Sequence, residues 1–442
     1  MFKIRIPCHL AGYSRAVKEY VGHEFGWALS SNIVYSMCQW GFVVVLAKLG
    51  TPADVGAYAL GLAVTSPILM FANCQGRNLV ASDVRDEYLF GEHLSFRIVS
   101  LTLALLVLCA VIALTQSSLT SASVILLVGL GQCFDYSSET YFGLLQKHGR
   151  LDRVSLSLML KGPLCLLLLG ALMYATRNVL WSVAGLAIGR LLVLCCVDAR
   201  SALTIAGPYR LVWHQATLRK LFVTALPLGV ISGLCAVNLN IPRYFIEGDL
   251  SKRDLGIFSA LASLVGAGNL VMAALASCSI VGLAKAWASR DTPMYRSLSL
   301  KLLGVSAIMG SVGVLIAFSV GNRVLALLFR PDYAGSAGVF ARIMVAGAVG
   351  YVVSAQGYAM TAARKFAQQV PILIGAAAVT TLSSWYLVPR RGLVGAAEAW
   401  MLGSLFLFAC NLALMARMMD DSVACEKFSN DDLHVPARAT LK

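Results

Sequence analysis

Runs of about twenty apolar residues follow one another along the whole chain, and no other feature constrains its fold as much. A run of that length crosses the ~30 Å hydrocarbon core as an α-helix, which satisfies its backbone hydrogen bonds internally. Of the 442 residues, 58% are hydrophobic and only 13% charged, and the mean hydropathy is +0.75. A soluble chain would carry roughly a quarter charged residues, and a transmembrane β-barrel would show short alternating segments. The expected fold is therefore an all-α polytopic membrane protein. About twelve spans are expected, near 26–47, 56–77, 97–115, 122–145, 154–175, 179–199, 221–242, 256–283, 302–320, 336–361, 370–388 and 393–416.

Basic residues distribute unevenly between alternate loops, about 24 on the side holding both termini and about nine on the other. This bias places both termini in the cytoplasm. It also accounts for the net charge of +14. The Lys and Arg are scattered through short loops and form no face for nucleic acid. The 12 Cys lie mostly inside apolar runs, without a CxxC pair or a nearby His at metal spacing, and read as small buried hydrophobes. Met1 to Glu24 carries Lys3, Arg5, Arg15 and Lys18 and lacks the apolar core of a cleaved signal, so the first span directs insertion. There is no HExxH, Walker A or GxSxG motif and no Cys/His dyad at useful spacing. No loop is long enough to carry a catalytic domain; the longest outward one, near Arg243 to Leu255, is expected to hold about a dozen residues.

One short stretch occurs twice. Thr51-Pro52-Ala53-Asp54-Val55-Gly56-Ala57-Tyr58 is echoed two hundred positions later by Ser251-Lys252-Arg253-Asp254-Leu255-Gly256-Ile257-Phe258. Both read as helix starts, with Thr51 and Ser251 as N-caps, Asp54 and Asp254 as capping-box acids, and Pro52 at a first helical position. The copies open the second and eighth spans, an even number of crossings apart. The repeat is therefore parallel, with its pseudo-two-fold axis along the membrane normal. The expected organisation is a cytoplasmic segment 1–25, a six-helix bundle 26–199, a cytoplasmic linker 200–220, a second six-helix bundle 221–416 and a cytoplasmic tail 417–442, with the bundles facing each other across a cleft.

The order of these motifs resembles a family. The stretch from Gly26 to Asp83 carries Gln39-Trp40 in the first span, then Leu49-Gly50, Val55-Gly56 and Tyr58-Ala59-Leu60 at the turn, and Gln75, Arg77 and Asp83 leaving the second span. IPRYFIEGDLSKRDLGIFSAL from Ile241, PDYAGSAGVF from Pro331 and RRGLVGAAEA from Arg390 continue the likeness. Together they are similar to Wzx-type oligosaccharide flippases of the multidrug/oligosaccharidyl-lipid/polysaccharide exporter superfamily. The resemblance implies a transporter of the bacterial inner membrane that is not an enzyme. It would move undecaprenyl-pyrophosphate-linked oligosaccharide to the outer leaflet by alternating access, for O-antigen or exopolysaccharide synthesis. It further implies the lipid-linked oligosaccharide and the phospholipid bilayer as partners, alongside a polysaccharide polymerase and a chain-length regulator. No cofactor is expected, with H+ or Na+ coupling left open. The alternatives are a multidrug or small-molecule cation antiporter on the same scaffold and a membrane-embedded glycan polymerase or ligase.

Ionisable groups within spans are costly and usually functional. Arg190 lies half-way along the sixth span, Lys161 two turns into the fifth, and Asp135 and Glu139 four apart on the fourth, on one helical face. They read either as a self-neutralising structural cluster or as a site in which Arg190 and Lys161 attract pyrophosphate while Asp135 or Glu139 takes up a coupling ion. Arg77, at the cytoplasmic end of the second span, is placed either to meet an entering headgroup or to anchor the span. Arg342 and Glu398 read as a shallow ion pair near the outer interface, with Arg342 also a candidate for the substrate. Asn32 and Gln39 in the first span are candidates for sugar contacts, against interhelical hydrogen bonding.

Overall fold

In a computed structural model of the chain, the described residues are 26–83, 87–115, 118–363 and 366–418, with backbone alone for 8–25, 270, 273, 274, 276–278, 281, 331, 334, 366, 367 and 419–431. Among them there is no strand. The helices are α1 (Cys8–Leu49), α2 (Pro52–Asn73), α3 (Gly76–Ser82), α4 (Phe90–Thr115), α5 (Leu119–Lys147), α6 (Leu151–Thr176) and α7 (Val179–Val193). The last of these passes through a π-helical turn (Leu194–Asp198) into α8 (Ala199–Ala206). Then come α9 (Gln215–Asp249), α10 (Lys252–Ala288), α11 (Thr292–Leu328), a 3-10 turn (Pro331–Ser336), α12 (Ala337–Ala362) and α13 (Phe366–Asp431).

Ten helices among the described residues are long and apolar enough to cross a bilayer, the last of them the 51-residue stretch Gln368–Met418. That stretch is two spans. Gly392 has φ 57° and ψ −135°, a conformation that favours glycine, and the chain doubles back there. Phe406 faces Gly375, Thr380 faces Gly403, and Leu387 faces Gly395. The paired residue numbers add to nearly the same value each time, as an antiparallel hairpin requires. With this division, and with the 37-residue α10, the expected dozen spans are present. The loop expected from Arg243 to Leu255 is not. Helix α9 runs to Asp249 and α10 starts at Lys252, so Arg243 is helical and only Leu250 and Ser251 connect the two. The apolar pattern weakens there because the helix carries polar residues, not because it stops.

The chain forms two compact units, one running through Val237 together with Ser251–Ser263, the other comprising Asn238–Leu250 and the chain from Leu264 onward. In the first unit, α5 lies against α2, α4 and α7, while α6 lies between α1 and α7. Leu103, Leu106, Leu114 and Leu167 are exposed, as lipid-facing side chains are. In the second unit, buried hydroxyls and amides join helices through backbone oxygens. Tyr295 donates to Ala359 O at 2.9 Å, Tyr351 to Val265 O at 2.8 Å, and Gln356 to Phe408 O at 3.3 Å. Such bonds hold helices together where lipid removes the hydrophobic drive.

Both copies of the repeated stretch cap their helices as their composition requires. Thr51 N donates to Asp54 Oδ2 at 2.8 Å while Asp54 N donates to Thr51 Oγ1 at 3.3 Å. In the second copy Asp254 N donates to Ser251 Oγ at 3.1 Å, and the Ser251 hydroxyl donates to Asp254 at 2.6 Å. Within the first unit the two copies also meet. A Cβ on Gly56 would collide with the carbonyl oxygen of Lys252, and one on Gly256 with that of Pro52. The starts of α2 and α10 thus touch backbone to backbone, and Lys252 Nζ closes the contact on Ser121 Oγ at 2.5 Å. Because a backbone carbonyl cannot step aside, Gly56→Ala and Gly256→Ala should each destabilise the protein by about 1–3 kcal/mol. Thermal unfolding in detergent checks this, with Gly266→Ala, whose added carbon meets nothing within 4 Å, as the unaffected control.

Candidate functional site

The interior of the first unit holds a charge cluster built from four helical segments. Asp135 on α5 lies at its centre. Arg190 Nε on α7 donates to Asp135 Oδ2 at 2.9 Å, and the Tyr35 hydroxyl on α1 donates to the same oxygen at 3.2 Å. Lys161 Nζ on α6 stands 3.4 Å from Asp135 Oδ1 and 3.6 Å from Asp198 Oδ2, and donates to Ser138 Oγ at 2.7 Å. It also lies 5.2 Å from the Phe142 ring centroid. Lys161 is 1% exposed and Asp198 0%. Two acids and two bases thus neutralise one another at a depth where an isolated charge would be costly.

Local geometry explains how these groups converge. Asp135, Ser138 and Phe142 recur at helical spacing and share one face of α5. Gly131, one turn before Asp135, leaves room for the Arg190 guanidinium, whose nearest nitrogen would lie 3.1 Å from an added Cβ. Asp198 is reached through the π-helical turn Leu194–Asp198. On an unbroken α-helix it would sit roughly 80° around the axis from Arg190. The i→i+5 turn slows the rotation and brings it back toward the same face.

Glu139 belongs to a second group. Its Oε2 accepts from Asn73 Nδ2 at 2.9 Å, and it interacts electrostatically with Arg97 and Arg77. Arg97, 2% exposed, donates through Nε to Thr140 Oγ1 at 2.9 Å and through NH1 to Asn73 O at 3.1 Å. Arg77 donates to Gln146 Oε1 at 3.0 Å and lies 5.9 Å from the Phe142 ring centroid. The α2–α3 break at Cys74 and Gln75, both left-handed with φ 48° and 49°, turns Arg77 toward α5. Asp83, which ends the motif begun by Gln75 and Arg77, caps the following loop. It accepts from Glu87 N at 3.0 Å and Tyr88 N at 3.2 Å, with His93 Nε2 at 3.5 Å and Lys147 Nζ at 3.8 Å. Burial works against its charge, but the two backbone donors and Lys147 outweigh it and hold the carboxyl below its ordinary range.

Gln39, one turn beyond Tyr35 on α1, hydrogen-bonds to the Tyr35 side chain and so borders the cluster around Asp135. The remaining candidates lie apart: Asn32 is exposed and donates to Ala28 O of its own helix at 2.7 Å. In the second unit Glu398 accepts from Arg391 NH1 at 2.9 Å, while Arg342 Nε stands 3.9 Å away. Arg391 is therefore the nearer partner. Reading the spans from hydropathy missed Asp198 and Arg97, because each lay at an estimated helix end. Helix α4 begins at Phe90, two turns before Arg97.

The shared geometry of Asp135 distinguishes pair removal from single removal. Arg190→Ala or Asp135→Ala alone leaves an unpaired buried charge and should cost about 3–5 kcal/mol. The double change leaves Lys161 with Asp198 as a neutral pair and should recover most of that loss. Unfolding midpoints of the three variants in detergent measure the difference.

Comparison with known proteins places this geometry in a wider setting. No family model matches the chain. It is 26% identical over 382 residues to the capsular polysaccharide biosynthesis protein CapF of Staphylococcus aureus, covering 85% of this chain and 94% of that one. Among solved structures it is similar to the lipid II flippase MurJ in an inward-closed conformation. The TM-score is 0.67 at 13% identity, over 89% of this chain and 87% of that one. It is similar, too, to an inward-facing multidrug resistance MATE transporter of the MOP superfamily. That TM-score is 0.66 at 13% identity, over 90% and 98% of the two chains. This is a multi-pass membrane protein with the fold of the MOP-superfamily transporters.

Proposed function

We propose that the protein is a Wzx-type flippase that moves an undecaprenyl-pyrophosphate-linked oligosaccharide to the outer leaflet of the bacterial inner membrane, with both termini in the cytoplasm. The observation that carries this reading is the likeness, along nearly the full length of both chains, to a protein of capsular polysaccharide synthesis. A cargo of this kind needs cations for its pyrophosphate and amides for its sugars, while its polyprenyl tail stays in lipid. Arg77, Lys161 and Arg190 are assigned to the pyrophosphate, Asn32 and Gln39 to the sugars, and Arg342 to the outer end of the path.

The cluster around Asp135 supplies a coupling device on this reading. With Asp135 ionised, the four-residue group is neutral and its cations are occupied. A proton on Asp135 leaves the group at +1 and loosens Arg190 and Lys161 together, so uptake of a proton raises affinity for an anionic headgroup. Glu139 acts in the same sense on Arg97 and Arg77. The arrangement favours a proton over Na+ as the coupling ion, because Tyr35, Arg190 and Lys161 already crowd Asp135 with donors.

Deleting the gene should trap lipid-linked oligosaccharide on the inner leaflet and abolish surface polymer, measured by leaflet-specific labelling and polymer blotting. Unchanged surface glycan with raised sensitivity to cationic dyes would support an antiporter instead. For topology, single cysteines replacing Arg177 and Lys252 should react with an impermeant maleimide from outside intact cells, and one replacing His148 should not.

A further inference from the structure

The first unit carries a groove that the charge clusters do not use. Its volume is about 970 Å³, at the upper end of the roughly 300–1,000 Å³ common for ligand sites. Its walls are α2, α4 and the part of α9 up to Val237, all within the first unit. Gly229 and Gly233 close the back by bringing α9 against α2, where a Cβ on Gly229 would lie 2.6 Å from Phe71 O. Ala72 and Ala104 keep the floor low, and Leu103, Val107 and Phe222 stand exposed along the opening.

Polarity in the groove is confined to one end. Ser100 lines it but donates to Arg97 O of its own helix at 3.0 Å. The other polar side chains are Gln215 and Arg219, in the first turns of α9. That end lies at the membrane interface. The preceding linker is seated on the start of α4, where a Cβ on Gly91 would collide with the Arg210 carbonyl oxygen. Trp213, two residues before Gln215, is exposed as interfacial rings are. Between Gly207 and Lys220 the chain has three cations, Arg210, Arg219 and Lys220, and no carboxylate. Lys220 turns to the Tyr88 ring, 5.3 Å from its centroid, which leaves Arg219 to the groove.

Ordinary explanations cover only part of this. The bias of basic residues toward one face accounts for the cations of the linker, but it requires no cleft beside them. Annular lipid wets every exposed leucine without needing a cationic mouth. The depth of the groove narrows the choice of occupant. Its apolar lining runs roughly 16 Å along α4, from Phe96 to Val107, and roughly 22 Å along α9, from Phe222 to Val237. One leaflet contributes about half of the ~30 Å hydrocarbon core. A single acyl chain of one leaflet therefore fits, whereas a polyprenyl chain, several times longer, would leave most of its length outside.

We propose that the groove between α2, α4 and α9 binds an anionic phospholipid of the cytoplasmic leaflet, with an acyl chain along Phe96 and Leu103 and its phosphate on Arg219. Naming the leaflet rests on the orientation proposed above; the site itself does not depend on what the protein transports. Apolar contact adds little selectivity, because surrounding lipid solvates the chain equally well. Selectivity comes from Arg219, whose planar fork fits two phosphate oxygens, and from the acid-free linker around it.

The test titrates the full-length protein in detergent with dioleoyl phosphatidylglycerol or dioleoyl phosphatidylcholine and counts bound lipids by native mass spectrometry. One phosphatidylglycerol should bind at least fivefold more tightly than any phosphatidylcholine. Arg219→Gln, a change at an exposed position, should weaken phosphatidylglycerol about fivefold, or about 1 kcal/mol, and phosphatidylcholine less than twofold. Leu103→Trp fills the groove from its lipid-exposed edge and should weaken phosphatidylglycerol at least fivefold. Equal binding of the two phospholipids, or wild-type affinity in either variant, overturns the assignment. Displacement of phosphatidylglycerol by an equal concentration of undecaprenol overturns it as well, and gives the groove to a polyprenyl chain. None of these outcomes bears on the orientation, which the cysteine labelling above tests separately.

Discussion

Asp135 stands between Arg190 and Lys161, and at membrane depth neither cation has water to fall back on. The arrangement of α1, α5, α6 and α7 depends on satisfying that one carboxylate and the bases around it. Tyr35 brings α1 to the same oxygen, and Asp198 at the end of a π-helical turn completes neutrality through Lys161. Apolar packing alone would leave these helices free to rotate, because lipid solvates leucine as well as another helix does. The polar contacts fix the rotation. A π-turn costs regular hydrogen bonding, and its retention beside a buried charge is the kind of irregularity that accompanies function.

The repeated stretch has two structural uses. Its hydroxyl and acid satisfy amide groups at the starts of α2 and α10. Its glycine lets the two starts touch backbone to backbone. A helix that begins with a firm cap and meets its counterpart through glycine can form a close contact without long side chains to disentangle. The same few residues recur two hundred positions apart because both helix starts need the same cap and the same close approach.

Charge is distributed differently in the two units. The first is internally neutralised around Asp135, and its second group, around Glu139, carries an excess base through Arg77 and Arg97. The second unit has Glu398 held by Arg391 and approached by Arg342, and leaves Arg243 with an amide as its partner.

The sequence by itself determined the class of fold, because lipid leaves a backbone no choice but helix. It also determined the dozen spans, both capped helix starts and four of the charges within the spans, Asp135, Glu139, Lys161 and Arg190, since charged residues in the middle of apolar runs stand out without any structure. It could not say which charges meet. Successive residues on a helix point about 100° apart, so one extra residue in a turn decides whether Asp198 joins Lys161, and an error of two turns in a helix start hides Arg97 in a loop. Glu139 shares a face with Asp135 yet pairs with Asn73, because depth along α5 separates the two groups. Arg243 passed for a loop residue until α9 proved to run through it. Those outcomes were set by helix rotation and by contacts distant in sequence, which only the tertiary structure supplies.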